Sequence, residues 1–383
     1  MKIIAIRGHH FAFSPTPPIA NAINVLRRRQ GLLIEVLTDE GITGWGETVA
    51  SPHAAAGFLR GRLASLLLGQ DPRATGRLFD RMTAVLGYDR RGAGMMAISA
   101  VDTALHDIAA RAIGVPVADL LGGALRPNLL AYASGPFMRE GADPYHAMAA
   151  ETEVLQRRGY RAFKPRIGFT PKADGLAMNA LRRQIGPEAG LMVDINQGYT
   201  ARAAIESARR MAEADLLWIE EPVPPEDLRG YSTVSRAIDV AVAGGESLGS
   251  LAAFRECFEA EALSLVQPDV GVCGGFTGMR RVAALADAFE IPSMPHVWGG
   301  VVAFYASLQI GAVLTARRGG GPAPYPYIEV DVTPNPMLAL LGEIAPEADG
   351  TIAVPTGPGL GFELSAERLA PWLTEQWTET LSA

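Results

Sequence analysis

Hydrophobic and polar positions follow one order before about residue 127 and another after it. In the first stretch, strands precede helices. Residues 31–38 (Gly-Leu-Leu-Ile-Glu-Val-Leu-Thr) are rich in β-formers, and Asp39-Glu40-Gly41 supplies a turn. Ile42–Glu47 follows as a second strand, so the pattern predicts a hairpin. Leu59, Leu63, Leu66 and Leu67 then mark one face of a helix. Val101, Leu105, Ile108 and Ala112 mark another, ending near Gly114 before Pro116. Strands followed by helices predict an α+β domain over residues 1–126.

From 127 to 347, short apolar strands alternate with helix-length segments. The strands are Leu129–Ser134, Ala162–Lys164, Leu191–Asp194, Leu216–Glu220, Val240–Glu246, Leu265–Asp269, Ile291–His296 and Tyr327–Glu329. Three of the helical faces are Leu176/Leu181/Ile185, Ile205/Ala208/Met211/Ala212 and Met279/Val282/Leu285/Ala286/Phe289. Buried parallel strands alternating with helices predict βαβ units, and this number of them predicts a closed barrel. Residues 348–383, with Pro355, Pro358 and Gly359–Gly361, leave the barrel and are expected to pack back on the first domain.

Composition narrows the classes. With 48% hydrophobic and 20% charged residues in 383, disorder and coiled coil are excluded. A net charge of −7 gives no electrostatic footprint for nucleic acid. Cys257 and Cys273 cannot make a disulfide framework, and no Cys/His zinc spacing occurs, which suits a reducing compartment. The apolar run Val301–Ala316 is interrupted by Ser307 and Gln309 and is shorter than the roughly 20 residues of a membrane span. The apolar residues before Arg7 are too few for a signal-peptide core. The expectation is a soluble, cytoplasmic protein with no nucleic-acid or membrane partner.

The chemistry lies at the strand ends. In order they are Ser134, Lys164, Asp194, Glu220, Glu246, Asp269, His296 and Glu329. After the first, each end is ionisable, and successive ends are separated by 30, 26, 26, 23, 27 and 33 residues, about one βα unit each. In a barrel these ends converge on one mouth, where active sites form. Three facing carboxylates, Asp194, Glu220 and Glu246, repel one another unless a hard cation joins them, so Mg²⁺ or Mn²⁺ is expected. Asp269 next to His296 suits an imidazole held at one nitrogen and free for proton transfer at the other. Lys164 and Arg166 both point into the mouth as cations for substrate oxygens. Glu329 is a candidate donor to a substrate oxygen. Asn196 also faces the mouth and is a substrate-binding candidate, as is Ser134 at the first strand's end. His53 could reach the mouth from the first domain. Glu221 should point the other way, and Arg27-Arg28-Arg29 reads as a solvated face. Cys273 shows no sign of thiolate activation.

Together these residues resemble the enolase superfamily, specifically its mandelate racemase subgroup. The matching pieces are Lys164-Pro165-Arg166, Val193-Asp194-Ile195-Asn196, Trp218-Ile219-Glu220-Glu221-Pro222, Gly245-Glu246, Gln267-Pro268-Asp269 and Pro295-His296-Val297-Trp298, with Gly44-Trp45-Gly46-Glu47 in the first domain. The resemblance implies a modified TIM barrel, (β/α)7β, under an α+β capping domain made of the N-terminal part and the C-terminal segment. It also makes Trp298, beside His296, a substrate-binding candidate. The implied chemistry is Mg²⁺-dependent removal of the proton next to a carboxylate, giving an enediolate. The substrate is then a small carboxylate from carbohydrate-acid metabolism, an aldonate or aldarate. Family members often carry Lys-x-Lys where this chain has Lys164 and Arg166. An arginine is a poor base, so two-base racemisation or epimerisation is disfavoured and His296 becomes the main base. Dehydration needs one base and an acid, and an acid-sugar dehydratase is the favoured reading. The alternative is a galactarolactone-type cycloisomerase, suggested by Gly274-Gly275-Phe276, Pro295-His296-Val297-Trp298-Gly299 and Glu329-Val330-Asp331. A non-catalytic metal-binding scaffold would have lost the proton-transfer residues, which are all here. Barrels of this kind commonly form homo-oligomers, although no interface is visible in the sequence.

Overall fold

The structure is a computed structural model that describes residues 1–88 and 90–381, so the last two residues of the C-terminal segment lie outside it. The capping sheet is antiparallel. Its strands are β1 (Ile3–Phe13), β2 (Arg29–Thr38) and β3 (Thr43–Thr48). The predicted hairpin is β2–β3, with Gly41 at φ 78° in its turn. The cap helices are α1 (Pro52–Phe58), α2 (Thr75–Ala84) and α3 (Ala93–Ala112); α1 and α3 lie against this sheet, and α2 packs on α3. The leucine face at 59–67 is helical, but Leu59–Leu63 forms a π-helical turn between α-helical segments. Helix α3 crosses β3 so closely that a Cβ at Gly46 would lie 1.8 Å from the Ala100 carbonyl oxygen, so only glycine fits there.

The barrel strands are β4 (Asn128–Ser134), β5 (Ala162–Phe163), β6 (Gly190–Leu191), β7 (Val193–Asp194), β8 (Trp218–Glu220), β9 (Ala241–Gly244), β10 (Leu265–Val266) and β11 (Ile328–Asp331). All their mutual ladders are parallel. The expected strand at Ile291–His296 forms no ladder. Pro292 and Pro295 lack the backbone donor a ladder needs, and single bridges, Ser293 to Val266 and His296 to Asp269, hold the segment in place. Hydrogen bonding around the barrel is interrupted at this seam. The eighth strand runs on to Asp331, two residues beyond the expected end. At the C-terminus, β12 (Leu373–Thr380) pairs antiparallel with β1, while Thr351–Ala353 pairs with β4.

Two acids of the cap close helix N-termini of the barrel. These helices are α4 (Gly275–Ala288) and α5 (Val301–Val313). Glu47 accepts from Gly300 N at 2.6 Å and Ala303 N at 2.9 Å, at the start of α5. Asp102 accepts from Thr277 N at 2.9 Å and Thr277 Oγ1 at 2.7 Å, in the first turn of α4. Both satisfy donors that a helix cannot pair internally. The loop before β2 also touches the mouth. Ala20 exchanges backbone hydrogen bonds with Met138, and a Cβ on Gly198 would sit 2.4 Å from the Ala22 Cβ. Among the described residues, no helix is long and apolar enough to cross a membrane.

Candidate active site

Parallel pairing sets the strand ends side by side. Glu220 is in register with Asp194 on β7, Arg166 bridges to Asp194 and Asp269 bridges to His296. One oxygen each from Asp194, Glu220 and Glu246 lies within 4.8 Å of the others. Lys164, fully buried, ion-pairs with Glu220 and, at 2.9 Å, with Glu329, and it is 4.0 Å from Asp194. The second oxygen of Glu220 accepts from Trp218 Nε1 at 3.0 Å and Gln267 Nε2 at 2.7 Å. Arg166 approaches Asp194 at 3.2 Å, donates to Ser134 Oγ at 2.9 Å and lies over the Phe137 ring at 4.7 Å. Asn196, at φ 47°, donates through N and Nδ2 to the two oxygens of Asp194. Asparagine tolerates this left-handed conformation better than most residues. On the other side, His296 Nδ1 is 2.7 Å from Asp269 Oδ2, and its Nε2 is 3.2 Å from Glu246 Oε2. Gly271 N holds the remaining oxygen of Asp269 at 2.6 Å.

Burial governs the electrostatics. It raises the Asp194 pKa, opposed by Arg166 and assisted by Glu220. It also raises Glu246 to about 7, against the pull of His296 and with help from Asp194 and Glu220. For Lys164, burial pulls downward, but Glu220 and Glu329 outweigh it and the amine stays charged. For His296, burial likewise lowers the pKa, yet Glu246, Glu329 and Asp269 push it up to about 10. Carboxylates crowded into a buried site and resisting ionisation are what a hard divalent ion relieves. All three candidate ligands offer oxygen, the donor Mg²⁺ and Mn²⁺ prefer. Asn196 Oδ1 and Gln267 Oε1 are buried acceptors without a partner, which also suits an added cation or its water. The donor set fits such an ion.

Several expectations change. Glu329 is a poor donor: Ser134 Oγ donates to it at 2.6 Å and Val297 N at 3.0 Å. Although burial would raise its pKa, Lys164, His296 and Arg166 lower it, so it is an ionised acceptor. Arg29 is no solvated residue. It is buried, donates to Asp331 Oδ2 at 2.5 Å and stacks 3.9 Å over the Trp298 ring. Arg27 and Arg28 are exposed as expected. Trp298 in turn packs 5.6 Å from Phe137. His53 is not brought to these residues; it stacks on His10 of β1. Glu221 is buried beside the trio, bonded by Gln197 at 3.0 Å, and burial together with Glu246 and Asp194 raises its pKa. Burial also raises the Cys273 thiol well above its ordinary value, so it is not activated. Phe137 and Glu47 were the residues without a chemical reading. Phe137 lies three residues past the strand end Ser134, after Gly135-Pro136, the one local signal for it. A cavity of about 740 Å³ opens beside Arg126, Asn128 and Arg161, at the N-terminal end of the strands, and none of the mouth residues lines it.

An α/β barrel with acids, cations and a His–Asp pair at the C-terminal strand ends under an α+β cap defines a class of barrel enzyme. The chain belongs to the enolase superfamily, in its mandelate racemase/muconate lactonizing enzyme group. The enolase C-terminal domain-like family matches residues 147–368, and the mandelate racemase / muconate lactonizing enzyme N-terminal domain matches residues 8–122. The chain is 35% identical over 371 residues to a D-galactarolactone cycloisomerase of Agrobacterium fabrum, covering 96% of this chain and 98% of that one. It is 29% identical over 335 residues to an arabinonate dehydratase of Saccharolobus solfataricus, covering 86% and 87%. The crystal structure of a racemase from Streptomyces coelicolor with bound magnesium superposes with a TM-score of 0.84 at 29% identity, covering 97% of this chain and all of that one.

Proposed function

We propose that this protein is a Mg²⁺-dependent enzyme that removes the proton next to the carboxylate of an acid sugar and expels the oxygen substituent on the β-carbon. The observation that carries this reading is the His296–Asp269 pair, 2.7 Å apart, set beside the three acids and across Glu329 from Lys164. Asp194, Glu220 and Glu246 would hold the ion, which when bound supplies positive charge for the substrate carboxylate. Asp269 fixes the His296 ring through Nδ1; Glu246, whose charge does most to keep the ring protonated, would be engaged by the ion instead of by Nε2, which would then be free to take the α-proton. Lys164 and Arg166 offer fixed positive charge to oxygens that gain electron density. Arg166 stays protonated and provides no second base. His296, once protonated at Nε2, can return that proton to the departing oxygen on the same face.

When the departing group is hydroxide, the reaction is a dehydration. A second reading, in which a lactone carboxylate departs and the ring opens, is favoured by the 35% identity to a lactone cycloisomerase across 96% of the chain. The test is a panel of aldonates, aldarates and their lactones with Mg²⁺ in D₂O, followed by NMR and mass spectrometry. Dehydration yields a product lighter by one water, whereas ring opening yields an isomer. Inversion or deuterium exchange at the α-carbon without elimination, across the panel, would overturn both readings.

A further inference from the structure

Three segments far apart in the chain bring two imidazoles and a carboxylate together on the capping sheet. His10 of β1 and Glu375 of β12 are directly opposed in the antiparallel register, so their side chains share one face. His53, on the first turn of α1, stacks its ring on His10 with centroids 4.4 Å apart and planes 7° apart. Its Nδ1 is 3.9 Å from Glu375 Oε2. One ligand atom from each of the three lies within 4.8 Å of the others. His10 is 2% exposed, yet its Nδ1 has no hydrogen-bond partner. A buried polar atom left unpaired is costly and calls for an explanation. At the other nitrogen, Trp377 Nε1 approaches Nε2 at 3.4 Å, long for a hydrogen bond.

We propose that His10, His53 and Glu375 form a second metal site, for a divalent ion of the zinc class. Two imidazole nitrogens and one carboxylate oxygen are a donor set that Zn²⁺ accepts, with its fourth position left to water. Mg²⁺, which prefers oxygen throughout, is poorly served by it. Zinc bonds of about 2.0–2.2 Å require the ligand atoms to draw closer. An imidazole binds a metal in its ring plane, so His53 must swing out of its stack on His10; its side chain and that of Glu375, 60% and 50% exposed, are free to do so, while buried His10 is the fixed anchor. Ligation at Nδ1 puts the ring hydrogen on Nε2, so the long contact to Trp377 is exchanged for a metal bond. The ion then staples β1, α1 and β12, tying the C-terminal strand to the cap.

The test is calorimetric titration of the full chain with Zn²⁺ in excess Mg²⁺ near neutral pH. Zn²⁺ also competes for the barrel oxygens, so wild type is compared with His53→Ala, Glu375→Gln and Asp194→Asn. The expected result is a binding event that Asp194→Asn retains and that each of the other two weakens by at least about 10-fold, the scale at which even groups that merely orient metal ligands act. Both replaced cap side chains are half-exposed or more, so their loss leaves the fold intact. Isotherms of His53→Ala and Glu375→Gln that superimpose on wild type would overturn the site, as would a Zn²⁺ stoichiometry that falls to zero in Asp194→Asn.

Discussion

Replacing Glu47 by glutamine isolates how the cap is fastened to the barrel. Glu47 is 3% exposed and accepts from two backbone N–H groups at the N-terminus of α5. These donors favour the carboxylate. Burial disfavours it more strongly, and its pKa is raised from the ordinary 4.5 to about 7, with Asp269 adding to the rise and Arg29 opposing it. The folded state therefore binds this proton more tightly than the unfolded state does. The resulting stability is fully present below pH 4.5 and is lost as pH rises through 7. At 1.36 kcal/mol per pKa unit, the shift corresponds to about 3 kcal/mol. Glu47→Gln keeps the shape and removes the titration, while every other ionisable group is common to both proteins. Urea unfolding of the two proteins across this range should show wild type losing about 3 kcal/mol relative to the variant on the alkaline side. A difference that stays flat, or grows in favour of wild type as pH rises, would show that the helix terminus outweighs burial and that Glu47 is ionised throughout.

Further outcomes concern the mouth and the cap. His296→Asn should lower kcat by about 10²–10⁴ on whichever acid sugar is turned over, the usual contribution of a positioned base; a near-normal rate would remove His296 from that role. Arg166→Lys should leave partial activity, because a cation remains while the fork that reaches both Asp194 and Ser134 is lost; unchanged kinetics would show the fork to be dispensable. EDTA should abolish turnover and Mg²⁺ restore it, and activity that survives exhaustive chelation would argue against the three acids as ligands. Arg29→Met should destabilise the fold by about 3–5 kcal/mol by leaving Asp331 buried without its cation. Adding Asp331→Asn should recover part of that loss in thermal unfolding, and no recovery would mean that the ion pair is not the cause.

The mouth residues were legible because a barrel turns sequence pitch into angular position: residues one βα unit apart must end as neighbours. Asp194, Glu220 and Glu246 come together on that rule alone, and so do Asp269 and His296. Local pattern failed where the decisive partner is remote. Arg27, Arg28 and Arg29 look alike in sequence, yet only Arg29 meets an acid 302 residues away and a tryptophan face. Leu176 is grouped above with Leu181 and Ile185 on one helical face, but five and nine residues away it lies roughly 140° and 180° around the helix from them, and it is 67% exposed. The seventh strand was placed correctly as a segment but not as a ladder, since two prolines deny it donors.

The unread contacts share a location, and it gives them a common consequence. Asp269 lies on the segment that leads into α4, and His296 on the segment that leads into α5. Each helix begins at a cap acid, Asp102 for α4 and Glu47 for α5. Ser99, on the same cap helix as Asp102, also accepts from Gly274 N at 2.8 Å. The two halves of the His–Asp pair are therefore each tethered, a few residues downstream, to the cap. A rigid-body shift of the cap would move both tethers together and leave their separation intact, whereas loss of one tether would let one partner drift from the other. Proton transfer depends on a distance of about 3 Å between heavy atoms. Damage at Glu47 or Asp102 should thus fall on kcat through the His296–Asp269 geometry, even though neither acid touches the mouth.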